Sequence, residues 1–272
     1  MELSIRLKTV AEAVTKGNRV ADVGTDHGYV PIYLGKNNLS PAGIAMDVNK
    51  GPLEKAQEHI REEKLGGKIA TRLGNGLAPL EPGETDTVII AGMGGDLICK
   101  ILKAKPEFLI EGKEFILQPQ SEWFKIRRLL KEYHYQIEKE WFLKEDGKYY
   151  VIIKAEPAWT QPQRLKHQEP SIHEYIKEIS EIPVNQAVSE KDMESIYEQY
   201  GKYLIETKNP VLKEYLEKEI TKKESIAAEL KQSIKEIESE ELSGKERGNI
   251  AKRQRRYQEI QKEIRDMRKA IG

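Results

Sequence analysis

Two carboxylates, Asp22 and Asp26, flank Gly24 in the stretch Val20–Tyr29, which reads VADVGTDHGY, and Gly28 follows two positions later. An apolar run that ends in such a turn presents backbone N–H groups and little side-chain bulk, which suits a ligand lying against the main chain. The spacing is D-x-G-x-D-x-G, without the G-x-G-x-x-G of a dinucleotide site and without the lysine of a P-loop. A pyrophosphate is disfavoured beside these carboxylates, whereas a cationic ammonium group is favoured. The same residues also make an ordinary tight turn.

A second link comes from Asp47, which closes the next apolar run, AGIAM, with Val48 beside it. A carboxylate about 20 residues beyond the glycine turn can take the two ribose hydroxyls of an adenosine, although Asp is also a common helix cap. Gly74-Asn75-Gly76 ends a third run, where Asn75 and Gly76 would lie beside an adenine ring or make a plain turn. An adenosine ligand with a cationic amino-acid end describes S-adenosylmethionine, and that is the cofactor expected here. The fourth run ends in Ala91-Gly92-Met93-Gly94-Gly95, not in the Asn/Asp-Pro-Pro-aromatic motif typical of enzymes that methylate exocyclic amines. Gly92, Met93 and Gly94 offer backbone groups and space against which a flat base can enter, or simply a glycine-rich helix entry.

These ligand groups need a scaffold that brings successive loops to one rim. Apolar runs at Arg19–Val23, Ala42–Met46, Ile69–Leu73, Thr87–Ala91 and Glu114–Leu117 alternate with helical spacings, and two further strands near Gln136–Leu143 and Lys148–Lys154 are joined by Asp146-Gly147, a hairpin signal. Ser4 is placed to cap a first helix that ends at Gly17-Asn18, and Ser121 to cap one running through Trp123, Leu129 and Leu130. The order predicts an α/β, Rossmann-like domain over residues 1–158, with ligands bound beyond the carboxyl ends of its strands.

Pro157, Pro162 and Pro170 interrupt the pattern, and the remainder, 159–272, reads as a helical domain. Shorter helices are expected near Ile172–Ile182 and Lys191–Glu206. Leu212, Leu216, Ile220, Ile226, Leu230, Ile234 and Ile237 then form one apolar stripe, and Ile250, Tyr257, Ile260, Ile264, Met267 and Ile271 a second beyond Gly244. That near-heptad spacing predicts an antiparallel coiled-coil hairpin.

Lys plus Arg and Asp plus Glu each total 45, so attraction to nucleic acid must come from a local basic face and not from net charge. Candidates are Arg127, Arg128 and Lys131, and on the last helix Lys252, Arg253, Arg255, Arg256, Lys262, Arg265, Arg268 and Lys269, though such positions are commonly solvated or paired on a coiled coil. Cys99 is the lone cysteine, so no internal disulfide can form, and the opening MELSIRLKTV carries no secretory apolar core. A cytoplasmic protein with no membrane span and no metal site is expected.

The motifs DVGTDHGYVP, AGMGG and LQP, with S-x-R-L at Ser4–Leu7 and a C-terminal helical hairpin, resemble the bacterial tRNA adenine-22 N1-methyltransferases. The resemblance implies a class I methyltransferase domain, S-adenosylmethionine as donor and N1 of adenine 22 in tRNA as target. It places cofactor contacts at Asp22, Gly24, Asp26, His27, Gly28, Asp47, Val48, Asn75, Gly76, Gly92, Met93 and Gly94. This chain departs from the family at Asn75, where Gly-Asp-Gly is usual, and at Gln120, where Asn is frequent.

N1 of adenine holds a free lone pair, so transfer is mainly a matter of positioning, and the product base is cationic. Asp26 is expected to face that charge, Tyr29 to stack on the base, Met93 to pack against it and His27 to bond base or cofactor. A methyltransferase acting on another RNA, a protein or a small molecule, a non-catalytic RNA-binding module, and a structural protein assembled through its coiled coil are the alternatives. Partners are tRNA and, through the coiled coil, at most a weak dimer; a monomer is equally compatible.

Overall fold

In a computed structural model of the chain, the described residues are 2–158, 188–238 and 244–272. They divide into two compact units, Met1–Lys191 and Asp192–Gly272. The expected domain change at 158/159, and the helix expected near 172–182, fall on residues outside the described set.

The first unit is built on a seven-stranded sheet: β1 (Val20–Val23), β2 (Gly43–Asp47), β3 (Ile69–Leu73), β4 (Thr87–Met93), β5 (Glu114–Pro119), β6 (Tyr135–Glu145) and β7 (Lys148–Pro157). Its order is β3-β2-β1-β4-β5-β7-β6. The first five strands are parallel, and β7 runs antiparallel to both β5 and β6. The order reverses between β1 and β4, so their carboxyl ends open a crevice at the topological switch point.

Helices α1 (Ile5–Glu12), α2 (Tyr29–Lys36), α3 (Lys50–Glu62), α4 (Gly95–Ala104), α5 (Glu107–Ile110) and α6 (Trp123–Glu132) cover the sheet. Val10, Ala11 and Val14 join Val30, Leu34, Val20, Ile89, Ile116 and Ile152 in one fully packed cluster. Ile32, Ala45, Ile60, Leu65 and Ile69 form another beneath α2 and α3. Both faces of the central strands are buried, which is why they read as continuous apolar runs.

Ser4 caps α1 as expected, its Oγ accepting from Leu7 N at 3.2 Å, but α1 stops at Glu12. The expected cap at Ser121 is not formed. Glu122, in the left-handed conformation (φ 55°), precedes α6, and the Ser121 carbonyl accepts instead from Gly95 N at 3.1 Å. A Cβ on Gly95 would lie 2.7 Å from the Ser121 and Glu122 carbonyl oxygens, so only glycine lets the start of α4 approach that turn.

The second unit holds α7 (Val188–Tyr200), which begins in the last residues of the first, α8 (Lys202–Glu206), α9 (Pro210–Glu238) and α10 (Gly244–Ile271). The helix expected over Lys191–Glu206 is broken at Gly201, whose φ of 93° no helix accommodates. Asn209 caps α9, its Oδ1 accepting from Val211 N and Leu212 N, each at 3.0 Å. α9 and α10 run antiparallel, as the pairs Lys223–Glu263, Glu224–Arg268 and Ser233–Arg253 require. Leu212, Leu216, Ile220 and Ile234 are buried, and so are Ile250, Ile260, Ile264 and Met267. Ile226 is 39% exposed, and Ala227 takes its place in the seam. A continuous helix turns about 100° per residue, so a strict every-fourth-residue series drifts off the seam and the next residue replaces it. The Ile237 side chain lies outside the described set.

Candidate active site

A cleft of about 320 Å³ opens at the carboxyl rim of the sheet, lined by residues from the ends of β1, β2, β4 and β5 and from α1. Of the residues expected from the sequence, Asp22, Gly24, Asp26, Tyr29, Asp47 and Gly92 line it together. A hollow of about 410 Å³ between α3 and β3 is larger, but its lining, including Gln57, Arg61 and Thr71, lies away from these strand ends and contains no carboxylate.

Asp22 is buried at 4% exposure, and its Oδ2 accepts from Thr25 Oγ1 at 2.5 Å. Burial pushes its carboxyl up to about 6; the Thr25 hydroxyl opposes the shift, and the charges of Asp26 and Asp47 add to it. A cation in the cleft is the group that would relieve this buried charge. Gly24 has φ 73°, and its N–H donates to the Met46 carbonyl at 2.8 Å, so the turn is folded back over β2. Met93, in the irregular last residues of β4, covers Gly24. Gly28 has φ 75°, and a Cβ there would stand 3.2 Å from Ala56 Cβ, so this glycine seats α2 against α3 and is buried below the cleft.

Asp26 is exposed, its Oδ1 3.7 Å from His27 Nε2. His27 takes the left-handed conformation at φ 55°, and its ring packs against Tyr29 and His59 instead of lining the cleft. Tyr29 stacks on His59 at 5.5 Å and 15°, and His59 Nδ1 lies 3.0 Å from the His27 carbonyl oxygen. His59, on α3, therefore holds the loop that displays Asp26 and Tyr29; nothing in its sequence surroundings marked it.

Asp47 Oδ1 accepts from Asn49 N at 2.7 Å, and the Asp47 carbonyl accepts from Gly74 N at 3.0 Å, which ties the Gly74–Gly76 turn to the end of β2. Val48 and Leu73, at neighbouring strand ends beside Asp47, are 61% and 49% exposed. Asn75 is exposed, and Gly76 (φ 55°) packs on Ile101; neither lines the cleft. Gly94 is packed beneath Ser121 Oγ.

The far wall comes from residues remote in sequence. Gln118 is fully buried, and its Oε1 accepts from both Gly92 N at 3.1 Å and Arg6 Nη1 at 2.8 Å. Arg6, Leu7 and Gln120 line the cleft beside them. Cys99 is half-buried with Sγ 3.7 Å from the Lys125 carbonyl, and burial raises its thiol, in keeping with packing and not nucleophilic chemistry.

Three carboxylates and a bare backbone turn fit the zwitterionic adenosine cofactor expected from the sequence. Asp22 suits its ammonium and Asp47 its ribose, whereas Val48, also expected at the cofactor, does not line the cleft. Among the described residues, no group of three or more His, Cys, Asp or Glu could hold a metal ion, and no helix is long and apolar enough to cross a membrane.

Residues 3–153, more than half of the chain, match the family described as "Methyltransferase domain", and the chain belongs to that family. Over 156 residues it is 39% identical to the tRNA (adenine(22)-N(1))-methyltransferase of Bacillus subtilis, a match spanning 57% of this chain and 66%, just under two thirds, of that protein. Across the whole chain it superposes on the crystal structure of the B. subtilis m1A22 tRNA methyltransferase TrmK with a TM-score of 0.73 and 27% identity, covering 99% of that structure. M. capricolum TrmK, solved with the cofactor product S-adenosyl-homocysteine, matches at a TM-score of 0.69 and 26% identity over 98% of its length. These are the proteins that the sequence motifs resemble, and the Rossmann-like sheet with C-terminal helices is shared with them.

Proposed function

We propose that this protein transfers the methyl group of S-adenosylmethionine to N1 of adenine 22 in tRNA. The observation that carries the reading is the joining of Asp22, Asp26, Asp47 and Gly92 in one cleft at the switch point of the sheet, in a chain whose relatives carry out this reaction. When bound, the cofactor supplies an electrophilic methyl group on a sulfonium centre.

The chain's own residues do the rest. Asp22 neutralises the amino-acid ammonium, and Asp47 accepts from the ribose hydroxyls. The bare backbone at Gly24 and Gly92 leaves room for the reacting groups. Asp26, exposed at the mouth, stabilises the positive charge that develops on the base. Tyr29, braced by His59, offers a ring face to the extruded adenine. His27 shapes the loop by its left-handed backbone and its contacts with Tyr29 and His59.

The partner is tRNA and the compartment the cytoplasm. Lys252, Lys262 and Arg265 on α10 are exposed, with no ion pair to any described residue, whereas Arg255, Arg256, Arg268 and Lys269 are each paired. The unpaired cations are the ones left to grip phosphate. The hairpin acts within a monomer or at most a weak dimer.

The test is incubation with labelled S-adenosylmethionine and unmodified tRNA, followed by mapping of the methylated base. Label at N1 of adenine 22 is expected. Label on another RNA position, or transfer only to protein or a small molecule, would overturn the assignment, and failure to bind the cofactor would leave a non-catalytic RNA-binding module.

A further inference from the structure

Gln120 carries the one side-chain amide among the residues lining the cleft. It is exposed, and that amide makes no hydrogen bond to any described residue. Its backbone, in contrast, is held. Gln120 directly follows Pro119 at the end of β5, and its N–H donates to the Met93 carbonyl at 2.8 Å. One residue on, the Ser121 carbonyl accepts from Gly95 N. The turn after β5 and the glycine turn of β4 are therefore locked together, and they hold the amide beside the bare face of Gly92, where Nε2 would lie 3.9 Å from a Cβ. The carboxylates that suit the cofactor, Asp22 and Asp47, lie on β1 and β2, whereas Gly92 and Gln120 come from β4 and β5 on the other side of the switch point.

An unspent amide on a fixed backbone suits the edge of a planar ligand that pairs one donor with one acceptor. On the methyl-transfer reading, that ligand is the adenine to be methylated. Its N1 must stay free to face the sulfonium methyl, so recognition falls to the opposite edge of the ring. There adenine offers the N6 amino group as donor and N7 as acceptor, the pair that a glutamine amide meets with its own oxygen and nitrogen. Guanine presents two acceptors, O6 and N7, at the same edge, so the amide oxygen would oppose O6. The N6–H also becomes a stronger donor as the base turns cationic, so a neutral oxygen holding it gains strength in the transition state. Resting on that reading, we infer that Gln120 is the residue that selects adenine, its amide accepting from N6–H and donating to N7 of the target base.

The test uses the full-length protein and two tRNAs that carry adenosine or 7-deazaadenosine at position 22, the latter with a C–H in place of N7. For each enzyme the ratio of kcat/KM, adenosine over 7-deazaadenosine, is measured; comparing enzymes cancels the altered reactivity of N1 in the deaza ring. The ratio for the wild type is expected to exceed that for Gln120→Ala by about ten-fold. Gln120→Glu keeps an acceptor for N6–H but has no donor for N7, and should show the same reduced ratio. Both variants should keep the wild-type Kd for S-adenosylhomocysteine in calorimetry. Equal ratios in all three enzymes would overturn the inference and leave Gln120 as a wall of the cleft. A raised Kd for S-adenosylhomocysteine in both variants would also overturn it and assign the amide to the cofactor. Wild-type protein that methylates neither tRNA at position 22 would instead defeat the methyl-transfer reading.

Discussion

The Met93 side chain ends in the space where a side chain on Gly24 would begin, so the β4 turn closes directly over the β1 turn. Gly24 therefore serves two needs, its φ of 73° and the room for Met93. Gly24→Ala is expected to cost about 1–2 kcal/mol for the backbone conformation alone, and to push Met93 into the cleft. Adding Met93→Ala should restore cofactor affinity in part while leaving the stability loss, because the strain at position 24 remains. Denaturation midpoints and calorimetric Kd values for the single and double variants check this; full recovery of both would show that the strain is negligible.

Asp22 carries the pH dependence. Its folded pKa of about 6 lies above the ordinary value of 3.8, so the folded state holds its proton more tightly than the unfolded chain. The stability it allows is present below about pH 4, is lost as pH rises towards 6, and stays lost at neutral pH. The deficit is on the order of 3 kcal/mol. Asp22→Asn should therefore raise Tm at pH 7.5 while weakening cofactor binding at least ten-fold. In the wild type, affinity for S-adenosylhomocysteine should fall as pH drops through 6, and in Asp22→Asn it should stay flat. A flat wild-type profile between pH 5 and 8 would remove Asp22 from the ammonium.

Asp26 is exposed and tied to nothing stronger than His27 at 3.7 Å, so replacing it should leave the fold intact. Asp26→Ala and Asp26→Asn are both expected to lower kcat by about 100-fold and to change the KM for tRNA by less than about three-fold. The Asn variant separates charge from shape. Equal losses in kcat and tRNA affinity would show that Asp26 holds the substrate and does not assist the transfer.

On α10, Lys262→Ala with Arg265→Ala should weaken tRNA binding and reduce the slope of log K against log salt by roughly 1.5–2, the amount expected for two lost phosphate contacts. Arg256→Ala, which breaks pairs with Glu259 and Glu263, should have a smaller effect. Filter binding across a salt series reads both. Identical slopes for all variants would take the hairpin out of RNA recognition.

The strands, the glycine turns and the carboxylates at their ends are legible in the sequence because each is a local feature. Buried parallel strands need continuous apolar runs, and a turn with φ 73° at Gly24 needs glycine. That information lies within a few residues of each position, and it determined the fold class and the strand ends that form the rim of the cleft. The opposite wall depends on contacts between segments far apart in the chain. Arg6 and Gln118 are separated by 112 positions, and His59 reaches the His27 carbonyl across 32. An Arg in a first turn, a Gln near a strand end and a His on an amphipathic helix each have many possible partners, and only packing selects among them. The same is true of the seam in the hairpin, where Ala227 and not Ile226 is buried because helical rotation, not hydrophobicity, decides which residue faces the partner helix.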